Sequence, residues 1–228
     1  MIRMLLLVAL VAVTSACVSP IPLKEQVPQA SYKPDNTVLV AVLDERKRVK
    51  EGKDRTFIGV AHGAFGIPAD WNVNPVLATQ DGDKQRTLAQ FIQHRLLTGL
   101  ADSGWQVKPV NFVAQPSRDD VIKALQENGA EQLITLALKE WYFSINLNWV
   151  SSFNFDTDTD ITLFDRNGQS LLAKTIAGRD VVEESASDSP QNGILRAYRA
   201  QLEEIFADPE LRQLLEAHGQ AQAEQITP

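Results

Sequence analysis

Residues 151–182 read SSFNFDTDTDITLFDRNGQSLLAKTIAGRDVV, and this stretch decides the fold. From Ser151 to Asp165, Phe153, Phe155, Thr157, Thr159, Ile161 and Leu163 fall on one face of an extended chain. Asn154, Asp156, Asp158, Asp160 and Thr162 fall on the other. Side chains alternate with period two along a strand, so this pattern predicts an antiparallel strand with one face in the core and one in water. Arg166-Asn167-Gly168-Gln169 follows as a hairpin turn, because Asn-Gly tolerates positive φ, and Ser170 to Val182 is the return strand.

Working outward, Glu131 to Asn148 is a second long strand, with Trp141, Phe143, Ile145, Leu147 and Trp149 on one face. Val38 to Leu43 is apolar without alternation, the mark of a strand buried on both faces. Thr56 to Val60 and Trp105 to Phe112 are shorter strands. Thr87 to Asp102 is a helix whose Leu88, Phe91, Ile92, Leu96, Gly99 and Leu100 share one face. Ser117 caps a second helix that Asn128-Gly129 closes, and Ser189-Pro190 opens a third with Leu195, Tyr198, Leu202, Ile205 and Phe206 inward. Asp208-Pro209 opens a short fourth helix ending near His218-Gly219. The predicted fold is an α/β (α+β) sandwich: a mixed sheet of about six strands with helices packed on one face.

Two segments resist this pattern. Asp44 to Arg55 mixes basic and acidic residues around Gly52 and reads as a solvated loop or hairpin tip. His62 to Asp83 has turn chemistry throughout and reads as one long loop carrying Phe65, Ile67, Trp71 and Val76.

The N-terminus sets the location. Arg3 is followed by an apolar run, Leu5 to Val13, and then by Thr14-Ser15-Ala16-Cys17. Charge, short apolar run and small residues make a secretory signal, and the run is too short to span a bilayer. Small residues directly before a cysteine resemble the lipobox of bacterial lipoproteins. That resemblance implies cleavage before Cys17 and a covalent lipid on it. Val18 rather than Asp at the next position implies the outer membrane, facing the periplasm. Residues 17–36 contain Pro20, Pro22, Pro28 and Pro34 without an apolar period, which predicts a semi-rigid tether holding the domain away from the membrane. The expected organisation is a signal peptide over 1–16, an acylated cysteine and tether over 17–36, one periplasmic domain over 37–219 and a polar, frayed tail over 220–228.

Further residues resemble a known family. Asp44-Glu45-Arg46 after the first strand, Ile58-Gly59 and Gly104-Trp105-Gln106-Val107 are similar to marks of the YajG-type bacterial lipoproteins. The wider element order looks like the N-terminal domain of TolB and like peptidoglycan-synthase activator lipoproteins. The resemblance implies a small domain that binds other proteins, and it brings no catalytic residue with it.

The chemistry legible in the chain is sparse. A net charge of −7 argues against nucleic acid, which needs a basic face. His62, His94 and His218 lack metal-ligand spacing, and Asp156, Asp158 and Asp160 read as a solvated strand face rather than a calcium site, since alternate strand residues stand about 7 Å apart. No GxSxG, SxxK or GxGxxG is present. No metal or cofactor is expected beyond the lipid on Cys17. The chain therefore reads as a non-enzymatic, membrane-anchored interaction module for envelope proteins, with Phe65, Trp71 and Trp149 as contact residues. The alternative is a carrier for an apolar small molecule or lipid, in a pocket lined by Trp141, Phe143, Phe153 and Phe155. An envelope hydrolase with an unfamiliar site is a third, weaker reading.

Overall fold

A computed structural model of the chain describes residues 19–146, 152–182 and 188–225. Its strands are β1 (Thr37–Asp44), β2 (Phe57–His62), β3 (Pro68–Asn72), β4 (Gln106–Pro109), β5 (Gln132–Asn146), β6 (Ser152–Phe164) and β7 (Ser170–Val181). Its α-helices are α1 (Lys47–Lys50), α2 (Leu88–Asp102), α3 (Arg118–Asn128), α4 (Pro190–Ala207) and α5 (Pro209–Gln225).

All seven strands belong to one mixed sheet whose spine is β5. On one side β6 runs antiparallel to β5 along its length, from Leu133↔Phe164 to Asn146↔Ser152, and β7 continues the meander. On the other side two strands lie end to end, both parallel to β5: β1 along its first half and β2 along its second. β4 pairs with β1, and β3 pairs with β2 in an antiparallel hairpin. The expected six strands become seven because β3 lies inside the stretch read as a loop. It is a five-residue edge strand beginning with Pro68, and an edge is where a residue without an N–H is tolerated.

The Asp-x-Arg and Ile-Gly pairs build the junction between β1 and β2. Arg46, 2% exposed, pairs with Asp44 at 2.8 Å and donates to the carbonyls of Phe57 and Arg55. The segment expected to be a solvated tip is thus pinned at its root, although the lysines of α1 remain exposed. Gly59 lets β2 approach β5 closely: a Cβ there would lie 2.3 Å from the Phe143 carbonyl oxygen.

Helices cover both faces, not one. Val38 and Val40 face a large core with α2, α4 and α5, whereas Leu39 and Ala41 face a smaller one with Val121, Ala124 and Leu125 of α3. β1 is apolar without alternation because it needs cover on both sides. Capping follows the sequence closely. Thr87 and Ser117 form capping boxes with Gln90 and Asp120, Gly129 closes α3 at φ 60°, and Ser189 caps α4 ahead of Pro190. Residues 220–225, expected to fray, continue α5 to Gln225. Ala, Gln and Glu are good helix formers, and they outweigh a single Gly219 costing about 1 kcal/mol.

The proline-rich segment does not stand off as a tether. Residues 19–36 form a strap along the domain, with Ile21, Val27 and Tyr32 all buried. The Ile21 N–H donates to Asn192 Oδ1 at 2.9 Å, and Asn192 Nδ2 donates to the Ser19 carbonyl at 3.1 Å. Further along, the Gln29 N–H donates to Glu203, the Ala30 N–H to Ser103, and Trp105 Nε1 to the Tyr32 carbonyl at 2.6 Å. The strap crosses α2 at Gly99, where a Cβ would meet the Pro28 carbonyl oxygen at 2.2 Å. Proline suits this path because an extended strap needs few backbone donors.

Candidate functional site

The ends of β2, β3, β5, β6 and β7 meet at one end of the sheet. His62 is paired with both Asn146 and Pro68, Asn146 with Ser152, and Asn154 with Val181. The β2–β3 turn projects from this end. Gly63 N–H donates to the Ile67 carbonyl, and the turn places Phe65 at φ 62° and Gly66 at φ 72°. A non-glycine residue in the left-handed region is uncommon, and here it stands at the apex with its ring in water. Phe65 is 98% exposed and Ile67 66%, and Val181 at the end of β7 is 70% exposed. The only other exposed large hydrophobic among the described residues is Val113, in the connection between β4 and α3.

Of the residues read as partner contacts, Phe65 is thus presented to solvent. Trp71 is partly buried, pairs with Gly59 across the β2–β3 hairpin and packs on the large core. Trp149 lies outside the described residues, between strands ending at Asn146 and Ser152; Cys17 and the signal segment also lie outside them.

The strap begins at this same end. Gly193, in the first turn of α4, sits against Phe153 and Val182, and the neighbouring Asn192 holds Ser19 and Ile21. Val182 in turn donates its N–H to the Phe153 carbonyl. Three ion pairs lie nearby, Lys53 with Asp70, Arg179 with Asp156 and Arg196 with Asp188, and Asp180 beside Val181 is exposed.

The aromatic set proposed as a pocket lining is filled. Trp141, Phe143, Phe153 and Phe155 are each at most 2% exposed. Phe143 stacks on Phe155 at 4.3 Å, Trp141 meets Phe155 and Tyr198 edge-on, and Tyr198 of α4 closes over the group. Trp141 Nε1 donates to Thr159 at 2.8 Å, so its polar atom is satisfied within the core. These residues are core, and the carrier reading loses the pocket on which it rested.

The densest polar cluster was not anticipated. Arg95, 2% exposed, reaches from α2 to Asp83, with Nη2 2.6 Å from Oδ2, and donates through Nε to Gln26 Oε1 at 3.0 Å. Arg86 also pairs with Asp83, and Gln26 donates to the Ile21 carbonyl and to Thr79. Burial pushes the Asp83 carboxyl up, but the Arg95 hydrogen bond and charge, the Gln80 N–H and Arg86 outweigh it and hold the group below its ordinary value. His94 lies beside it, pushed below the ordinary histidine range by burial and by Arg86 and Arg95. The cluster clamps the strap, α2 and residues 79–86 together. The signal was present: Arg95 falls seven residues after Leu88, in the apolar stripe of α2, where an arginine requires a partner.

The acidic strand face is only partly solvated: all three aspartates are half-buried, and one Asp158 oxygen is buried without a hydrogen-bond partner among the described residues. Asp156 pairs with Arg179, while Asp160 pairs with Lys139 and accepts from Thr175 at 2.6 Å. Among the described residues no group of three or more His, Cys, Asp or Glu is placed to hold a metal ion, and no helix is long and apolar enough to cross a membrane.

No known protein family matches the chain, and no curated protein matches it. Membership of the YajG-type family is therefore not established. Among solved structures it is similar to protein XCC0632 from Xanthomonas campestris, of the DUF330 family, at 12% identity over 90% of this chain and 95% of that one, with a TM-score of 0.45. It is also similar to lipoprotein GNA1162 from Neisseria meningitidis, at 14% identity over 74% and 96% of the two chains, TM-score 0.39. A third is the C-terminal domain of LpoB from Salmonella enterica, at 11% identity over 66% and 87%, TM-score 0.33. At these scores they are partial likenesses in shape, and the functional reading rests on the chain itself.

Proposed function

We propose that this chain is a lipid-anchored protein of the bacterial envelope, held on the periplasmic face of the outer membrane through Cys17. Its domain works there as a non-enzymatic interaction module. The observation that carries the reading is the order Arg3, Leu5 to Val13, Thr14-Ser15-Ala16, Cys17, which is a complete export and lipidation signal. The non-enzymatic part is supported by the use made of the polar groups: Arg95, Asp83, Gln26 and Arg46 are buried and spent on binding structural elements together. The contact surface is the sheet end carrying Phe65, Ile67 and Val181, because it gathers three exposed apolar side chains that make no use of their own core.

Two measurements test the two parts. Radiolabelled palmitate should enter the wild-type chain in a bacterial host and not the Cys17→Ser variant, which should leave the membrane fraction. Labelling that is equal in both, or absent from both, removes the anchor. For the surface, Phe65 is the informative position, since Trp71→Ala would also disturb core packing. A Phe65→Ser chain that retains every contact of the wild type, with envelope proteins and with lipid alike, removes the surface.

A further inference from the structure

The strap and the apolar sheet end bear on one another, and we infer that the occupant of the Phe65, Ile67 and Val181 surface is the bilayer itself. This rests on the anchor proposed above and deepens it. The argument is one of reach. Ser19 is fixed to Asn192 at the start of α4, and Cys17 is only two residues earlier in sequence, so no more than about 7 Å of backbone and one cysteine side chain separate the lipid from that fixed point. The first turn of α4 sits on Phe153 and Val182. Phe153 pairs with Ile145, Ile145 with Ala61, and Ala61 with Ala69, so a single row of the sheet leads from the strap's root to the β2–β3 hairpin. At about 4.8 Å per step, the three steps of that row span roughly 14 Å. A membrane that receives the acyl chains beside Ser19 is therefore within reach of Phe65, Ile67 and Val181 at the same end of the sheet, and their burial in it would set the domain's tilt.

The chemistry of the surface suits lipid. Its exposed side chains are Phe65 and Ile67 on a protruding turn and Val181 at the end of β7, and such groups enter the boundary between head groups and acyl chains. The flanking cations Lys53 and Arg179 are engaged with Asp70 and Asp156, and Asp180 beside Val181 adds exposed negative charge, which leaves apolar burial rather than attraction to anionic lipid as the driving force. Binding should accordingly persist on phosphatidylcholine and change little with salt.

The test uses the acylated full chain, in which Cys17 is blocked by its lipid and an introduced thiol is the only free one. Ile67→Cys and, as a control, Val113→Cys are labelled with an environment-sensitive fluorophore. Both are placed in phosphatidylcholine vesicles containing lipids with a quencher near the head group. The expected result is loss of most emission from position 67, with a blue shift, and unchanged emission from position 113. If the chain floats with the vesicles while position 67 stays unquenched, the inference is overturned and the surface belongs to a protein partner. If the chain takes no palmitate and does not float, the anchor itself has failed, and the inference falls with it for a separate, recognisable reason.

Discussion

Replacing Gly99 by alanine separates two accounts of residues 19–36 by the sign of its effect. Gly99 lies inside α2, where glycine is about 1 kcal/mol worse than alanine, so a strap standing free in solvent makes Gly99→Ala stabilising by that amount. In the structure the added Cβ would lie 2.2 Å from the Pro28 carbonyl oxygen and 2.7 Å from its Cδ. Both atoms belong to a proline that is rigid and flanked by the buried Val27, so neither can swing aside as the end of a long side chain would. Overpacking of this kind costs about 1–3 kcal/mol; relieving it by lifting the strap instead exposes Val27, whose full burial is worth a similar amount, about 1.5–3 kcal/mol. Against the helix gain, the net expectation is a loss of about 1–2 kcal/mol. For a chain of this size that lowers Tm by about 2–8 °C. Thermal unfolding of Cys17→Ser protein with and without Gly99→Ala measures it, and limited proteolysis should show earlier cleavage near Lys24 and Lys33 in the variant. A variant as stable as the parent, or more stable, refutes the packed strap.

Three further outcomes follow from the buried polar groups and the exposed turn. Asp83→Asn breaks the pair with Arg95 and should cost about 3–5 kcal/mol in denaturant unfolding. Because the folded Asp83 carboxyl titrates below its ordinary value, its contribution is complete above about pH 4 and is lost as pH falls through the folded value, so the variant should lose part of the acid limb of the stability profile. Burial raises the phenols of Tyr198 and Tyr32 above the ordinary value of about 10, so the fold should weaken as pH climbs beyond 10 and not below it. Tyr198→Phe should reduce that alkaline loss and raise stability at neutral pH by about 1 kcal/mol, since the hydroxyl is buried without a partner among the described residues; a clear loss at neutral pH would point to a missed partner. Phe65→Ser should leave Tm within about 2 °C of wild type, because a 98% exposed side chain contributes little to folding, and a larger drop would mean that the turn packs on the domain.

What could be read in the sequence was what repeats with a short period. The Phe153 to Leu163 face, the Asn167-Gly168 turn and the Ser117 and Ser189 caps depend on local geometry, and the structure keeps each of them. β3 was hidden because its pairing with β2 comes from the turn at Phe65 and Gly66, while its own composition, Pro68 to Asn72, is that of a loop. The strap was hidden for a different reason. An extended chain lying in a groove meets neighbours wherever the groove offers them, so Ile21, Gln26, Val27 and Tyr32 follow no period. Arg95 was legible in principle, as a charge at a core position of α2, but its partners Gln26 and Asp83 come from segments whose folding only the tertiary structure reveals. At the candidate site, both Phe65 and Trp71 read as contact residues; Phe65 stands exposed on the turn, whereas Trp71 is partly buried because β3 turns it onto the core.

The strap changes what a lipid on Cys17 can do. A free polyproline tether over residues 18–36 would reach about 60 Å at ~3.1 Å per residue, and the domain could then face the membrane in any direction. Bound along the domain, the same residues would leave two peptide units between the proposed acylation site and a fixed carbonyl, so the distance of the domain from its proposed anchor would be set by the fold. The two ends of the strap are held independently. Asn192 and the Gln26 to Arg95 cluster secure Ser19 to Gln26, while Ser103, Glu203 and Trp105 secure Gln29 to Tyr32 on the far side of the Gly99 crossing. Lifting the strap at Pro28 would therefore weaken the domain at its middle, whereas removing the buried Asn192 amide would release Ser19 and Ile21 at its start and leave the Ile21 N–H without its partner. Release at the start, unlike release at the middle, acts on the residues next to the proposed anchor. A change in the domain's distance from the membrane on that release is what distinguishes a strap that serves as a mount from one that serves only as packing.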